Sequence, residues 1–151
     1  MSDNWIILIP KEPNYIPEEI LRENARKRLL EIAPDSDKVK IIVTEHISFF
    51  DCGANLDRIS CPKCNAELPP GWWQEKMHID FDKDTFKLDK YLTPCCKHSC
   101  SLNELVYDWH QGFGKFAIEA MNPNIGPLKE IYILELEAIL GTGLRVIYQH
   151  I

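Results

Sequence analysis

The residues of this chain best suited to chemistry are its cysteines. Cys61-Pro62-Lys63-Cys64 sets two thiols three positions apart around a proline. Thiolates at that spacing can bind one tetrahedral ion while successive backbone N–H groups point at the sulfurs. A closed site needs a second pair, and "TPCCKHSC", residues 93–100, supplies the candidates. The favoured set is Cys61, Cys64, Cys95 and Cys96. Cys100 and His98 are alternates, because Cys96 with Cys100, or Cys95 with His98, is more relaxed than an adjacent pair. The expected ion is zinc in a structural role, since four thiolates leave no open coordination position. Partial disulfide pairing and inert buried thiols are the competing readings. Cys52 precedes a glycine at a strand end and reads as a buried thiol.

Other clusters carry less. "MHIDFDKD" offers His78, Asp80 and Asp82 on one face of a possible strand, and such alternation can hold a metal. A solvated strand face is the commoner meaning. A calcium loop starting at Asp80 fails, with Thr85 where glycine is needed and Tyr91 where glutamate is needed. His46 and His150 each close an end segment and lie either near each other or on opposite sheet edges; a strand-end histidine is usually structural. His110 has no evident partner. There is no G-x-S-x-G, H-E-x-x-H or glycine-rich phosphate loop, and Gly112 with Gly114 lacks the third glycine of a dinucleotide site. "SLNE", 101–104, fits a capping box. Trp72 and Trp73 point in different directions on either a helix or a strand. They are candidate partner-binding anchors, or covers for a metal lobe poor in apolar residues.

The 151 residues suit one domain. Hydrophobic residues make up 45%, a globular composition, and the net charge is −6. An acidic surface repels phosphate backbones and favours a basic protein partner, so nucleic acid is not expected, and no apolar stretch approaches the length needed to span a bilayer, so neither is a membrane. The apolar run near the N-terminus is too short for a signal peptide. A cytoplasmic location is expected, where six cysteines serve as metal ligands and buried thiols more often than as disulfides.

The elements that must position these cysteines are visible at the two ends. "WIILIP", "KEPNYIP", "EEILRENARKRLLEI" and "DKVKIIVTEHI" run strand, turn, helix, strand. "GKFAIEAM", "NPNIGP", "LKEIYILELEAIL" and "LRVIYQHI" repeat that order. Ile20, Leu21, Leu29, Leu30 and Ile32 can share an apolar helix side. Pro17 and Pro127 suit first helical turns, Pro34 stops the first helix, and Gly141 or Gly143 stops the second. Phe116, Ile118 and Ala120 alternate with Lys115, Ala117 and Glu119, a half-buried strand pattern. Two such units predict an α+β fold: a ferredoxin-like βαβ-βαβ antiparallel sheet with helices on one face and a zinc-ribbon-like insertion between the second and third strands. The units are 1–47, 48–110 (the zinc-binding insertion) and 111–151, all in one compact domain.

At Cys61–Cys64, Pro94–Cys96, Ser101–Asn103, Tyr107–Trp109 and Gly112-Phe113 the chain resembles a group of little-characterised bacterial proteins with a C-P-x-C turn and a later P-C-C. The resemblance implies Cys95 and Cys96 as the second pair and carries no established activity. The chain departs from it where a glycine is expected after each pair, at Asn65 and Lys97. Asparagine tolerates a left-handed backbone and lysine much less so. By size and acidity the chain is also similar to immunity proteins of bacterial toxin systems, which implies a toxin as partner. The leading expectation is a non-enzymatic protein-interaction module. The alternative is a metal-dependent hydrolase using His78, Asp80, Asp82 or His46.

Overall fold

The computed structural model describes residues 2–151. The elements run β1 (Asn4–Pro10), α1 (Glu19–Ile32), β2 (Lys38–Phe50), β3 (Arg58–Ser60), α2 (Pro70–Asp80), β4 (Phe81–Asp82) and β5 (Thr85–Phe86). They continue as β6 (Tyr91–Leu92), β7 (Ser99–Cys100), a 3-10 turn (Leu102–Glu104), β8 (Val106–Asp108), β9 (Gly112–Met121), α3 (Glu130–Leu140) and β10 (Leu144–His150). Four of the strands form one sheet in the order β10-β1-β9-β2. Every neighbouring pair is antiparallel, with Ile7 opposite Ile147, Ile6 opposite Ala120 and Ile41 opposite Ile118. Hence β1 and β2 run parallel with β9 between them, joined by α1. Likewise β9 and β10 run parallel with β1 between them, joined by α3.

Both helices cover the same face. Ala25 and Leu29 of α1 and Leu136 and Leu140 of α3 are buried on Ile6, Leu8, Phe116, Ile118 and Leu144. The apolar side of α1 differs from the expected one. Ala25, Leu29 and Ile32 turn inward, whereas Ile20 is 62% exposed and Leu30 is 39% exposed. At about 100° per residue, Leu29 and Ile32 fall beside Ala25, whereas Ile20 and Leu30, each five residues from it, fall on the opposite face. Pro17 and Pro127 lie ahead of the N-caps Glu18 and Lys129, outside the first turns. Gly141 stops α3 with φ +72°, a left-handed cap that glycine adopts without strain. The central strand β9 is buried on both faces, not one, because Ala117 packs against Ile7, Ile9 and Ile147 on the side away from the helices.

That second face is reached because β2 bends. Val43 pairs with Phe116 and Ser48 with Gly114, so residues 44–47 bulge opposite Lys115 alone. A bulge of this kind kinks a strand and turns its continuation. The strand therefore runs to Phe50, past the boundary at 47, and Phe50 and Cys52 pack on Ile7 and Ile147. The chain then meets the end of β10, where the Ala54 N–H donates to the His150 carbonyl at 2.9 Å. Gly53 has φ +62°, and a Cβ there would collide with that same carbonyl.

Residues 58–110 form a lobe built from the short pairs β3–β8, β4–β5 and β6–β7 and from α2. Its core gathers Ile59, Leu68, Cys100, Leu102 and Tyr107 around Phe113 and Ile47 of the sheet strands. Among the described residues no helix is long and apolar enough to cross a membrane.

Candidate metal centre

Two turns with the same backbone plan face each other. In the first, the Cys61 N–H donates to the Ala66 carbonyl and the Asn65 N–H to the Cys61 carbonyl, both at 2.9 Å. In the second, the Thr93 N–H donates to the His98 carbonyl and the Lys97 N–H to the Thr93 carbonyl, again at 2.9 Å. Position by position, Cys-Pro-Lys-Cys-Asn matches Thr-Pro-Cys-Cys-Lys. Cys96 takes the place of Cys64, and Thr93 takes the place of Cys61. The sulfur missing at Thr93 is supplied from the turn's interior by Cys95. Both turns close on a left-handed residue, Asn65 at φ +63° and Lys97 at φ +57°. These are the two positions where glycine was expected; the fold keeps the glycine conformation and bears the strain at Lys97.

The sulfurs of Cys61, Cys64, Cys95 and Cys96 lie within 4.8 Å of one another. Individual separations are 3.3 Å for Cys64–Cys95, 3.7 Å for Cys61–Cys96 and 3.9 Å for Cys95–Cys96. A tetrahedral ion with bonds of about 2.3 Å to sulfur requires edges of about 3.8 Å. A disulfide needs about 2.05 Å, and all six cysteines are free. The donor set, four soft sulfurs at tetrahedral spacing, fits a divalent ion.

The electrostatics agree. Burial opposes ionisation of Cys61. The N–H groups of Cys64 and Lys63 and the Thr93 hydroxyl outweigh it and bring the thiol down to about 6. The Ala66 N–H favours the Cys64 thiolate, yet the sulfurs of Cys95, Cys96 and Cys61 oppose a second charge and push Cys64 up to about 12. The backbone thus stabilises one thiolate; four together require a cation among them. Thr93, fully buried, sits 3.7 Å from the Cys61 sulfur and 3.6 Å from that of Cys96. Its hydroxyl also accepts the His98 N–H at 3.0 Å.

The alternates fall outside this cluster. Cys100 is buried in the apolar core of the lobe, and burial pushes its thiol up to about 11. His98 is half-buried, and its ring is not among the grouped ligand atoms. Cys52 is fully buried; burial raises it to about 11, and its thiol donates to the Gln111 side-chain oxygen Oε1 at 3.4 Å.

The expected strand around His78 is the helix α2, so His78, Asp80 and Asp82 do not share a face. The helix forms because Pro70 opens it, where a missing N–H costs nothing. Asp80 is fully buried and accepts the Leu88 N–H at 2.8 Å, the Asp89 N–H at 2.9 Å and the Tyr91 hydroxyl at 2.8 Å. It organises the loop that leads to β6. His46 lies in the bulge of β2 and His150 at the end of β10, on strands at opposite edges of the sheet. Trp72 and Trp73 are both half-buried against the core of the lobe. The Trp73 indole N–H donates to the Tyr107 hydroxyl at 3.0 Å, which in turn donates to the Leu102 carbonyl at 2.7 Å. The Glu104 carboxylate accepts the Ser101 N–H at 2.6 Å, the expected capping box.

Two positioning residues carry no local signal in the sequence. Arg145 of β10 donates to the Asn103 side-chain oxygen and the Gln111 carbonyl, both at 3.0 Å, and to the Asn103 carbonyl at 3.2 Å. Burial lowers its pKa, and its acceptors are all neutral. Asn103 also accepts the Phe113 N–H at 3.1 Å, so one side chain ties the lobe to β9 and β10. A Cβ at Gly112 would run into the Arg145 guanidinium, which explains the glycine there.

Comparison of the chain with protein-family models, with curated proteins and with solved structures returned no match.

Proposed function

We propose that this chain is a non-enzymatic protein-interaction module of the cytoplasm, with a ferredoxin-like body and a zinc-ribbon-like lobe closed by one structural zinc. Four sulfurs at tetrahedral spacing carry the reading: they complete the shell of the ion and leave no position for substrate or water. Strand order β10-β1-β9-β2 with both crossover helices on one face supports the ferredoxin-like description of the body. The net charge of −6 favours a basic protein as partner. Within the resemblance to bacterial CPxC…PCC proteins and toxin immunity proteins, neutralisation of a basic toxin is the concrete form of the proposal, with Trp72 and Trp73 at the edge of the lobe as anchors.

The hydrolase alternative draws on His78, Asp80, Asp82 or His46, and the Asp80 carboxylate is already held by three donors. Metal analysis separates the two. One zinc per chain, released only on unfolding, is the expected result; a second, exchangeable metal lost on His78→Ala would favour the hydrolase. The partner is tested by affinity purification from native lysate with salt elution. A one-to-one complex with a basic protein is expected, weakening as salt rises. Failure to recover any protein would remove the interaction reading.

A further inference from the structure

A cavity of about 540 Å³ opens where the lobe meets the end of the sheet. Small-molecule clefts commonly measure about 300–1,000 Å³ and sit at such seams. Its walls come from the start of β1, the end of β10, the 122–127 turn, and Asn55 and Trp109 at the margins of the lobe. The composition of those walls is unlike the rest of the chain. The protein has 17 basic and 23 acidic side chains, and none of them lines this cavity. Five of its eleven carboxamides do, together with Trp5, Trp109 and Tyr148. With no lysine, arginine or carboxylate on the wall, and His150, its one imidazole, engaged by Asn4, the cavity favours an uncharged ligand, because a phosphate or carboxylate would be desolvated there without a fixed counter-charge.

The rings supply stacking. Trp109 is 48% exposed and lies nearly perpendicular to Tyr148, with centroids 6.3 Å apart at 84°, so about half of the indole remains available to a ligand. Three of the carboxamides, Asn4, Asn55 and Gln149, supply both donors and acceptors, since each spends one end on the fold and keeps the other. The Asn55 amide donates to the Tyr148 carbonyl at 3.0 Å, leaving its oxygen; the Gln149 amide donates to the Asp51 carbonyl at 3.1 Å, leaving its oxygen. The Asn4 oxygen is bound to the His150 ring at 2.7 Å, leaving the Asn4 NH₂. The 122–127 turn is set in advance. Asn122 accepts the Asn4 N–H at 2.9 Å and donates to Asp3 at 3.1 Å and Asp37 at 2.8 Å, and Asn124 is fixed at φ +55°. Preorganised walls lower the entropy lost on binding.

From this combination we propose that the cavity binds an uncharged nitrogen heterocycle, a nucleobase or its nucleoside, stacked on Trp109 and read by the carboxamides along its donor–acceptor edge. Carboxamides pair with base edges in this manner, and exposed indoles stack on base faces. The site stands apart from the cysteine cluster and does not depend on the identity of any protein partner.

The test uses the full, zinc-loaded chain. Adenosine, guanosine, cytidine and uridine are titrated by calorimetry and tryptophan fluorescence, beside the matching nucleoside monophosphates and a neutral oligosaccharide. At least one nucleoside is expected to saturate with a Kd at or below ~1 mM. Its monophosphate should bind more weakly. Trp109→Ala should weaken binding about tenfold or more, as loss of one stacking partner does. Lys27→Ala, exposed on α1 and away from the cavity, should leave it unchanged. Should Trp109→Ala fail to fold, Asn124→Asp serves in its place and should weaken binding by adding charge to the wall. Saturation by none of the four nucleosides overturns the proposal, as does equal or tighter binding of the monophosphate, or binding of the oligosaccharide alone.

Discussion

The sheet body and the lobe hold themselves together by different physics. The body has strands of seven to thirteen residues and a core of aliphatic and phenyl side chains shared by β1, β9, β10 and two helices. The lobe has strands of two or three residues, and its small apolar core is interleaved with buried polar side chains. Ser60, Asp80, Thr93, Ser101, Asn103 and Gln111 are the buried polar residues among the described ones, and all lie at 60–111. In the body, apolar area removed from water supplies stability without regard to direction. In the lobe, each buried group needs a particular partner: Asp80 its three donors, Thr93 its sulfurs and the His98 N–H, Asn103 its arginine. Directional bonds fix a unique geometry but add little net energy, about 1 kcal/mol each. A region held in that manner needs a further source of stability, and the four sulfurs are placed to supply it.

Metal removal should separate the two regions most sharply. Chelation of the native protein, or Cys61→Ser, is expected to abolish amide protection across 58–110 while β1, β9 and β10 remain protected in hydrogen exchange. Structural zinc contributes on the order of 10 kcal/mol in small modules, so the lobe should lose its order outright. Simultaneous loss of protection in sheet and lobe would show one cooperative unit and end the distinction.

The converse change is in the body. Phe116→Ala should lower global stability by about 3–5 kcal/mol in a denaturant titration, through lost burial and a residual cavity. Metal stoichiometry of the folded variant should stay the same. A variant that folds but no longer holds its metal would mean that the body shapes the metal site directly.

The seam comes next in size. Arg145→Met removes the donor for three oxygens of Asn103 and Gln111 and should cost about 1–3 kcal/mol by thermal denaturation. It should also split the melting transition, because the arginine ties β10 to the lobe. An unchanged single transition would assign the seam to apolar contacts around Phe113 alone.

The smallest effect tests the strained turn. Lys97→Gly should stabilise the metal-bound lobe by up to about 1 kcal/mol, since glycine adopts positive φ without a steric penalty. Asn65→Gly should gain less, because asparagine already tolerates that conformation. Competition with a chelating dye reads both. A loss of metal affinity in Lys97→Gly would show that the lysine side chain contributes more than its backbone strain costs.

Much of this architecture is legible along the chain, for identifiable reasons. The matching ends declare strand–turn–helix–strand because alternation and helical periodicity are local patterns. The Cys-Pro-Lys-Cys turn declares a sulfur pair because only two residues intervene, which fixes the reach of both thiols. Local pattern misleads where two periodicities fit one segment. "MHIDFD" alternates like a strand, yet its first four residues close a helix whose N-terminus is set by Pro70. Ile20 and Leu30 have the apolarity of core residues, yet the buried stripe of α1 runs through the small Ala25 instead.

What the sequence determined by itself was therefore the set of parts: which turns could present sulfur, where helices stop, and that the net charge is acidic. Tertiary structure decided which parts meet. Cys64 and Cys95 are 31 residues apart, and nothing in their spacing distinguishes Cys95 from Cys100 as a ligand. That choice is made by two turns docking with a common hydrogen-bond plan, in which threonine occupies a cysteine position. The pairing of Arg145 with Asn103, and the carboxamide-lined cavity between Trp5, Trp109 and Tyr148, arise in the same way, from strands and loops remote in the chain packing side by side. Local chemistry is written by covalent neighbours, whereas a site is a convergence of distant segments, and only the folded chain brings them within bonding distance.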